Sequence, residues 1–454
     1  VRILIAVHGF PPTHTGGAER RAARTAYGLA ARGHDVAVLC GESAGQQTQA
    51  GWTDADEAGV RVRRLHLGTG HDAGGGFAAT YDNPQTARAM EDLIAQFQPD
   101  IVHLFSGYLL SASVVRVASR HALPVVVSLT DYWWLCHRIN LIRTDGSRCA
   151  GPTPRDCARC QAETLRRFRL PARVWPNGAA AIWQAAETQP FLARHLGMPQ
   201  QAKRAATTLS TLGEVAAFIA PSQYLADFYV RHGIDADKVH VWRQGVDVHS
   251  CPVRCPSTAI RFGYLGQVKR HKGVDLILDA WGQLTGDRPR RLVIYGSDEG
   301  EAAYGQRLRD AIGRLRDVSW PGAYRGNEVW DNLAGLDVVV VPSRWVENSP
   351  NVILEAQAMG VPIIGSNLGG VAELVQHDVN GLQFTVDDAG DLARQMQRLL
   401  DDSPLLARIR QRQVPFRTVD MEIDEIDGLY RELLAGRVTP NAHAMASSLI
   451  AQTQ

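Results

Sequence analysis

Short apolar runs alternate with longer stretches whose apolar positions recur every three and four residues. Residues 2–7 (Arg-Ile-Leu-Ile-Ala-Val) predict a buried strand, 18–32 a helix and 34–40 a second strand, with Gly33 where a helix-ending glycine belongs. Residues 60–67 alternate as a strand does. A helix over 85–97, a strand over 101–104, a helix over 111–121 and a strand over 125–129 follow. The rhythm breaks between about 132 and 208, a stretch rich in Arg, Trp, Cys and Pro, which reads as an insertion, irregular and then helical. It resumes with strands at 217–220 and 239–242 around a helix at 224–231.

Residues 247–258 lack periodicity and contain Cys251 and Cys255, a weak candidate pair, so this segment is the expected linker. A second alternating set begins at Ile260. Its strands are 261–265, 291–295, 337–341 and 362–365, and its helices are 273–284, 306–315, 350–359 and 391–401. Short apolar strands between helices imply parallel sheets covered on both faces, and ligands of such sheets sit at the strands' carboxyl ends. The fold class expected is α/β, with two Rossmann-like domains facing across a cleft, at 1–250 and 258–410. A helix at 411–436 and a mobile tail at 437–454 complete the chain.

Composition narrows the function classes. Lys plus Arg total 48 and Asp plus Glu total 47 over 454 residues, so no global charge argues for nucleic acid. No run of eighteen apolar residues occurs, so no transmembrane helix is expected. The apolar start is followed at once by Pro11-Pro12 and Gly16-Gly17, which fits a first strand and its loop better than a signal peptide. The expected location is the cytoplasm, with the inner face of the membrane as an option, and the seven cysteines are expected reduced.

The chemistry concentrates in Val341-Pro-Ser-Arg-Trp-Val-Glu347-Asn-Ser-Pro-Asn-Val-Ile-Leu-Glu355. Ser349 suits a helix N-cap and Pro350 the first helical position. Glu347 then lies in a loop and Glu355 in a helix, roughly 8–10 Å apart along the axis, about the reach from a ribose to the sugar of a nucleotide sugar. The free N–H groups at the helix start would face the diphosphate between them. On spacing alone, surface acids on an ordinary helix explain the pattern equally well.

This stretch resembles the Glu-x7-Glu signature of retaining glycosyltransferases of family 4, which have the GT-B fold. Other matches follow in order: Gly16-Gly17-Ala18-Glu19, Ala220-Pro-Ser-Gln-Tyr, Gln244-Gly-Val-Asp247, Gly263-Tyr-Leu-Gly266, His271-Lys272-Gly273-Val-Asp275 and Gly369-Gly370-Val371. The resemblance implies a metal-independent hexosyltransferase that moves sugar from a UDP- or GDP-sugar to a glycan, lipid-linked or small-molecule acceptor, with no catalytic cofactor. It implies catalytic roles for Glu347, Lys272 and Asp131. It places the donor against Gly16, Gly17, Gln267, Lys272, Asn348, Ser349, Pro350, Asn351 and Glu355. The first domain becomes the acceptor side and the second the nucleotide-sugar side, with the 411–436 helix crossing back to the first. Polysaccharide assembly is the usual setting of relatives.

Two positions depart from the family. Gln267 stands where relatives carry Arg, and Thr130 where many carry His before Asp131. These permit a silent nucleotide-sugar-binding relative acting as an assembly partner. A sugar-nucleotide epimerase or hydrolase of the same fold is the other alternative. Cys136, Cys149, Cys157 and Cys160 leave two readings open, a structural zinc site or free thiols. Arg166-Arg-Phe-Arg169, Arg173 and Trp175 read either as an exposed basic helix or as a peripheral membrane or lipid-phosphate contact. The sequence leaves oligomeric state open.

Overall fold

The computed structural model describes residues 1–43, 51–67, 76–248, 252–254, 256–412 and 415–436. Cys251, Cys255 and the 437–454 tail lie outside the described residues. The chain divides into two compact units. The first comprises 1–220, 226–242 and the described residues from Ile423 on, and the second comprises 221–225 and 243–422.

In the first unit, eight described strands form one sheet. They are β1 (Arg2–Val7), β2 (Asp35–Ser43), β3 (Gly51–Glu57), β4 (Val60–Leu67), β5 (Ile101–Leu104), β6 (Val125–Ser128), β7 (Ala217–Ala220) and β8 (Val239–Val241). The order is β3-β4-β2-β1-β5-β6-β7-β8, and all pairs are parallel except β3 with β4. β3 is the element the sequence pattern missed. Its residues Trp-Thr-Asp-Ala-Asp are mostly exposed, so it is an edge strand without the apolar run that marks its neighbours. β1 and β5 run apart from the same point in chain order, which opens a crevice at their carboxyl ends.

The insertion is irregular up to Thr153 and then folds as five helices: Pro154–Ala162, Arg166–Val174, Pro176–Thr188, Pro190–His195 and Met198–Gly213. Several begin on a proline within the first turn, where a missing N–H costs nothing. Trp183 is buried and anchors the group. The last helix, Val419–Leu434, groups with the first unit from Ile423 on. There Asp424 pairs with Arg32 at 2.8 Å, and the Tyr430 hydroxyl lies 2.5 Å from Nδ1 of buried His103.

The second unit holds β9 (Ile260–Leu265), β10 (Arg290–Tyr295), β11 (Val318–Gly322), β12 (Val338–Val341), β13 (Ile363–Ser366) and β14 (Gly381–Phe384). They form a wholly parallel sheet in the order β11-β10-β9-β12-β13-β14. The four valines of β12 show why it is central. Val338 and Val340 enter one core with Phe262, Ile277 and Met396, while Val339 and Val341 enter the other with Leu265 and Ile353. A strand buried on both faces needs no polar alternation. β11 and β14 were not anticipated, because Trp320-Pro321-Gly322 and the short Gly381–Phe384 run look like loop sequence. The strand order reverses between β9 and β12, so the loops leaving these two strands form the crevice where such sheets bind ligands.

Candidate active site

Two loops meet at the crevice of the second unit. The first leaves β9 through Gly266, whose carbonyl would lie 1.8 Å from a Cβ at Gly296, so the two backbones touch where only glycine fits. It then makes a tight turn over Arg270–Lys272 and ends at Gly273, with φ +75°. A Cβ at Gly273 would lie 2.2 Å from the Pro342 carbonyl. That close approach brings the turn against the second loop, which leaves β12.

Lys272 is delivered onto Glu347, with Nζ 2.5 Å from Oε1. The Ser343 hydroxyl donates to the same oxygen at 2.8 Å. The ammonium also lies 5.0 Å above the Trp345 ring. Glu347 is buried, so its carboxylate depends on these partners. His271, edge-on to Trp345, is held neutral. Burial and the charge of Lys272 lower its pKa to about 4.

Arg344 ties the two loops together. Its backbone N–H donates to the His271 carbonyl at 2.8 Å, and its Nη1 to the Arg270 carbonyl at 3.2 Å. Its guanidinium grips Asp275 through two bonds of 2.6 and 2.9 Å and reaches Asp387 at 2.8 Å. Tyr304 completes the network by donating to Asp275 at 2.7 Å. Burial pushes the Asp275 carboxyl up, but the bonds from Arg344 and Tyr304 outweigh it and hold it below its usual value. Sequence alone assigns no role to Arg344, Tyr304 or Ser343, although Asp275 lies within a quoted motif. Their work is done through contacts far apart in the chain.

The expected helix start is shifted. Pro350, with ψ 122°, is the N-cap, and the helix runs Asn351–Ala358, so Ser349 is not the cap and Pro350 is not the first helical residue. No side chain caps this helix, and the buried Ser349 hydroxyl has no partner among the described residues. The cause is the neighbouring loop. The Gly370 N–H bonds the Glu347 carbonyl at 2.8 Å, and a Cβ at Gly370 would lie 1.8 Å from the Asn348 carbonyl. The chain stays extended through Pro350 as a result. Asn348 is buried beside Glu347, Glu355 is half-buried in the helix, and Gln267 is exposed on the β9 loop.

The crevice of the first unit has its own polar set. Gly16 caps the helix Gly17–Ala31, with φ −66° and ψ 179°, a conformation open to any residue. A Cβ there would lie 2.5 Å from Glu19 Oε2, so any larger residue would displace the Glu19 carboxylate. Glu19 instead pairs with His8, at the end of β1, at 3.1 Å. Burial opposes a charge on His8, but Glu19 and the nearby Asp131 outweigh it and raise its pKa. Asp131 accepts from the Ser106 hydroxyl at 2.8 Å and the Trp133 N–H at 2.7 Å, while burial raises its pKa. The Thr130 hydroxyl is shared between the Phe105 carbonyl at 2.6 Å and Asp131 Oδ2 at 3.3 Å. The His8–Glu19 pair was not anticipated as a unit, although both residues lie beside the glycine loop. His137 is kept neutral by burial and Arg204, with a pKa of about 4.

The four insertion cysteines are free thiols. Burial, with the neighbouring cysteines, pushes Cys157 up to about 12 and Cys160 to about 11. Among the described residues no group of three or more His, Cys, Asp and Glu side chains is placed to hold a metal ion. Beyond burial, charge on neighbouring cysteines pushes up the Cys136, Cys157 and Cys160 thiols, so these three and Cys149 nevertheless lie close to one another. Cys149 points its sulfur at the Gly151 carbonyl, 3.2 Å away. Among the described residues no helix is long and apolar enough to cross a membrane.

Two α/β domains, one sheet wholly parallel and the other parallel but for its edge strand, each with polar side chains gathered at a strand-order reversal, define the GT-B class of glycosyltransferase. Residues 16–245 match the family model described as "Glycosyl transferase 4-like domain", and residues 259–402 match "Glycosyl transferases group 1". The chain belongs to this glycosyltransferase family. It is 29% identical over 319 residues to a GDP-mannose-dependent alpha-mannosyltransferase of Corynebacterium glutamicum, covering 68% of this chain and 71% of that protein. It is 29% identical over 207 residues to a D-inositol 3-phosphate glycosyltransferase of Stackebrandtia nassauensis, covering 41% of this chain and 46% of that one. Its fold is similar to that of sucrose-phosphate synthase from Thermosynechococcus elongatus (TM-score 0.68, 16% identity, 96% of this chain and 100% of that one). It is also similar to HepE of Anabaena, solved in complex with UDP (TM-score 0.62, 18% identity, 94% and 99%).

Proposed function

We propose that the protein is a retaining, metal-independent glycosyltransferase that takes a UDP- or GDP-sugar in its C-terminal domain. The observation that carries this reading is the Lys272–Glu347 pair at the β9/β12 crevice beside an uncapped helix start. The N–H groups of Asn351 and Val352 at that start suit a diphosphate. Lys272 adds a point charge held between a carboxylate and an aromatic face. These groups supply positive charge to the leaving phosphate without a metal, which is the main electrostatic demand of the reaction. Glu347 is the carboxylate for the sugar and Glu355 for the ribose hydroxyls, with Asn348, Ser349 and Pro350 shaping the backbone between them. Gln267 offers hydrogen bonds from the β9 loop.

The acceptor, a glycan, a lipid-linked sugar or a small molecule, is assigned to the N-terminal domain near Gly16, Gly17 and Asp131. His8 lies at the same crevice, and its pairing with Glu19 favours its charged form. One observation favours the second reading, a silent nucleotide-sugar binder: Thr130 donates to the Phe105 carbonyl and to Asp131, where a His would bring a titratable nitrogen.

The test is product stereochemistry. The protein is incubated with α-configured UDP- and GDP-sugars and candidate acceptors, with and without EDTA, and the new linkage is read by NMR. An α-linked product formed equally with EDTA supports the reading. A β-linked product, or activity lost to EDTA and restored by a divalent ion, overturns it.

A further inference from the structure

The helices of the insertion carry a surface that neither the donor crevice nor the acceptor crevice uses. The helix Arg166–Val174 places Leu170 and Val174 four residues apart, hence on one face. Arg166, Arg169 and Arg173, at spacings of three and four, flank that ridge on one side, and Arg167 flanks it on the other. Leu170 is 44% exposed, Val174 81% and Trp175, at the junction with the next helix, 66%. On the neighbouring short helix Phe191 is 72% exposed. Isolated exposed apolar residues need no explanation, but an aliphatic ridge ending in an open indole and hemmed by arginines does.

Charge singles out the same region. Between Glu163 and Glu214 the only acid is Glu187, and Arg155 already holds it at 3.2 Å. Arg166, Arg167, Arg169, Arg173, Arg194 and Lys203 are all exposed there, and no ion pair among the described residues engages them. The chain as a whole has a net charge of only +1. Arg169 and Arg173 share a cavity with Asp145 and Glu163, so the basic excess along the ridge rests most on Arg166 and Arg167.

We infer that the face built by the helix Arg166–Val174 and Trp175 docks on an anionic lipid bilayer. Arginines with apolar stems beside an aliphatic ridge can leave their guanidinium groups at the phosphates while the ridge enters the interface. An indole at the edge is suited to the headgroup boundary, having an apolar body and one N–H donor. A second protein would need a matching acidic groove. A nucleic acid would make no use of Val174 and Leu170. The docking is independent of the transfer reaction, so either can fail without the other.

The test is co-sedimentation of the full chain with vesicles of phosphatidylcholine alone and of phosphatidylcholine with phosphatidylglycerol. Binding to the anionic vesicles only, falling as salt is raised, is expected. The triple variant Arg166→Glu, Arg167→Glu, Arg173→Glu is expected to lose affinity by at least about tenfold, and Trp175→Ala by several-fold at unchanged salt dependence. Brominated lipid should quench tryptophan emission in the wild type and much less in Trp175→Phe. Thermal melting and the donor-induced shift of each variant report whether the fold is intact. Equal binding to both vesicle types, no binding to either, or binding the intact variants leave unchanged overturns the inference. So does a concentration-dependent dimer that the same variants abolish without any vesicle binding.

Discussion

Replacing Arg344 with Ala removes a side chain that, beside the Lys272–Glu347 pair, ties the Lys272 turn to the Glu347 loop. The side-chain bonds lost include two to Asp275 and one each to Asp387 and the Arg270 carbonyl, while the backbone bond to His271 stays. Hydrogen bonds to charged groups contribute about 1.5–3 kcal/mol each when enclosed. Arg344 and Asp275 retain 27% and 35% side-chain exposure, so water screens much of that. A net loss of about 2 kcal/mol is expected, or about 4–8 °C in the melting of a domain of this size. Catalysis should fall further, because an error of about 1 Å in placing Lys272 is worth about a hundredfold in rate. Arg344→Lys keeps a charge but cannot fork onto both oxygens of Asp275, so it should rescue stability only in part. The pH dependence supplies a sign. Asp275 has a depressed pKa in the folded protein, so its contribution is present above the unfolded value near 3.9 and lost as pH falls through the lower folded one. The wild-type advantage over Arg344→Ala should therefore be full at pH 7 and shrink below about pH 4. Thermal unfolding between pH 3 and 7 and kcat/KM for the donor check this. An Arg344→Ala protein that melts with the wild type and turns over normally would refute the reasoning.

Glu347→Gln should leave the fold intact and lower kcat by about 10²–10³-fold, with donor binding retained by calorimetry. Gly273→Ala combines a left-handed backbone with a 2.2 Å approach to the Pro342 carbonyl, so its melting should fall by more than the usual effect of about 1 kcal/mol. The His8–Glu19 pair should stabilise the protein most between about pH 4.5 and 6.5, where both groups are charged in the unfolded chain as well. With the His8 pKa raised, that contribution is lost as pH rises through the folded value, so Glu19→Gln should cost more at pH 5.5 than at pH 9 in thermal melts.

How much of this was legible beforehand differs element by element. β12, four valines buried on both faces, declared itself through composition, and so did β1 and β9. β3 did not, because an edge strand with exposed Asp and Thr carries no core signal. Lys272, Glu347 and the glycines between loops were visible as motifs, since close backbone approach leaves a glycine in the sequence. The Arg344–Asp275–Tyr304 network was not, because it joins three segments whose proximity exists only once β9 and β12 are neighbours. The N-cap expectation failed at Ser349 for a related reason. Local propensity favoured Ser as the cap, but Gly370 reaching in from another loop keeps the chain extended through Pro350.

The central claim is that the β9/β12 crevice holds a nucleotide sugar on Lys272 and the uncapped helix start. Its most direct test is a thermal-shift panel of UDP- and GDP-sugars on the wild type, Lys272→Ala and Glu347→Ala, with slow donor hydrolysis followed in parallel. One donor should raise the wild-type melting temperature, that shift should largely vanish in Lys272→Ala, and hydrolysis should be lost in Glu347→Ala. If no donor shifts the wild type, or if Lys272→Ala responds as the wild type does, the donor site is elsewhere.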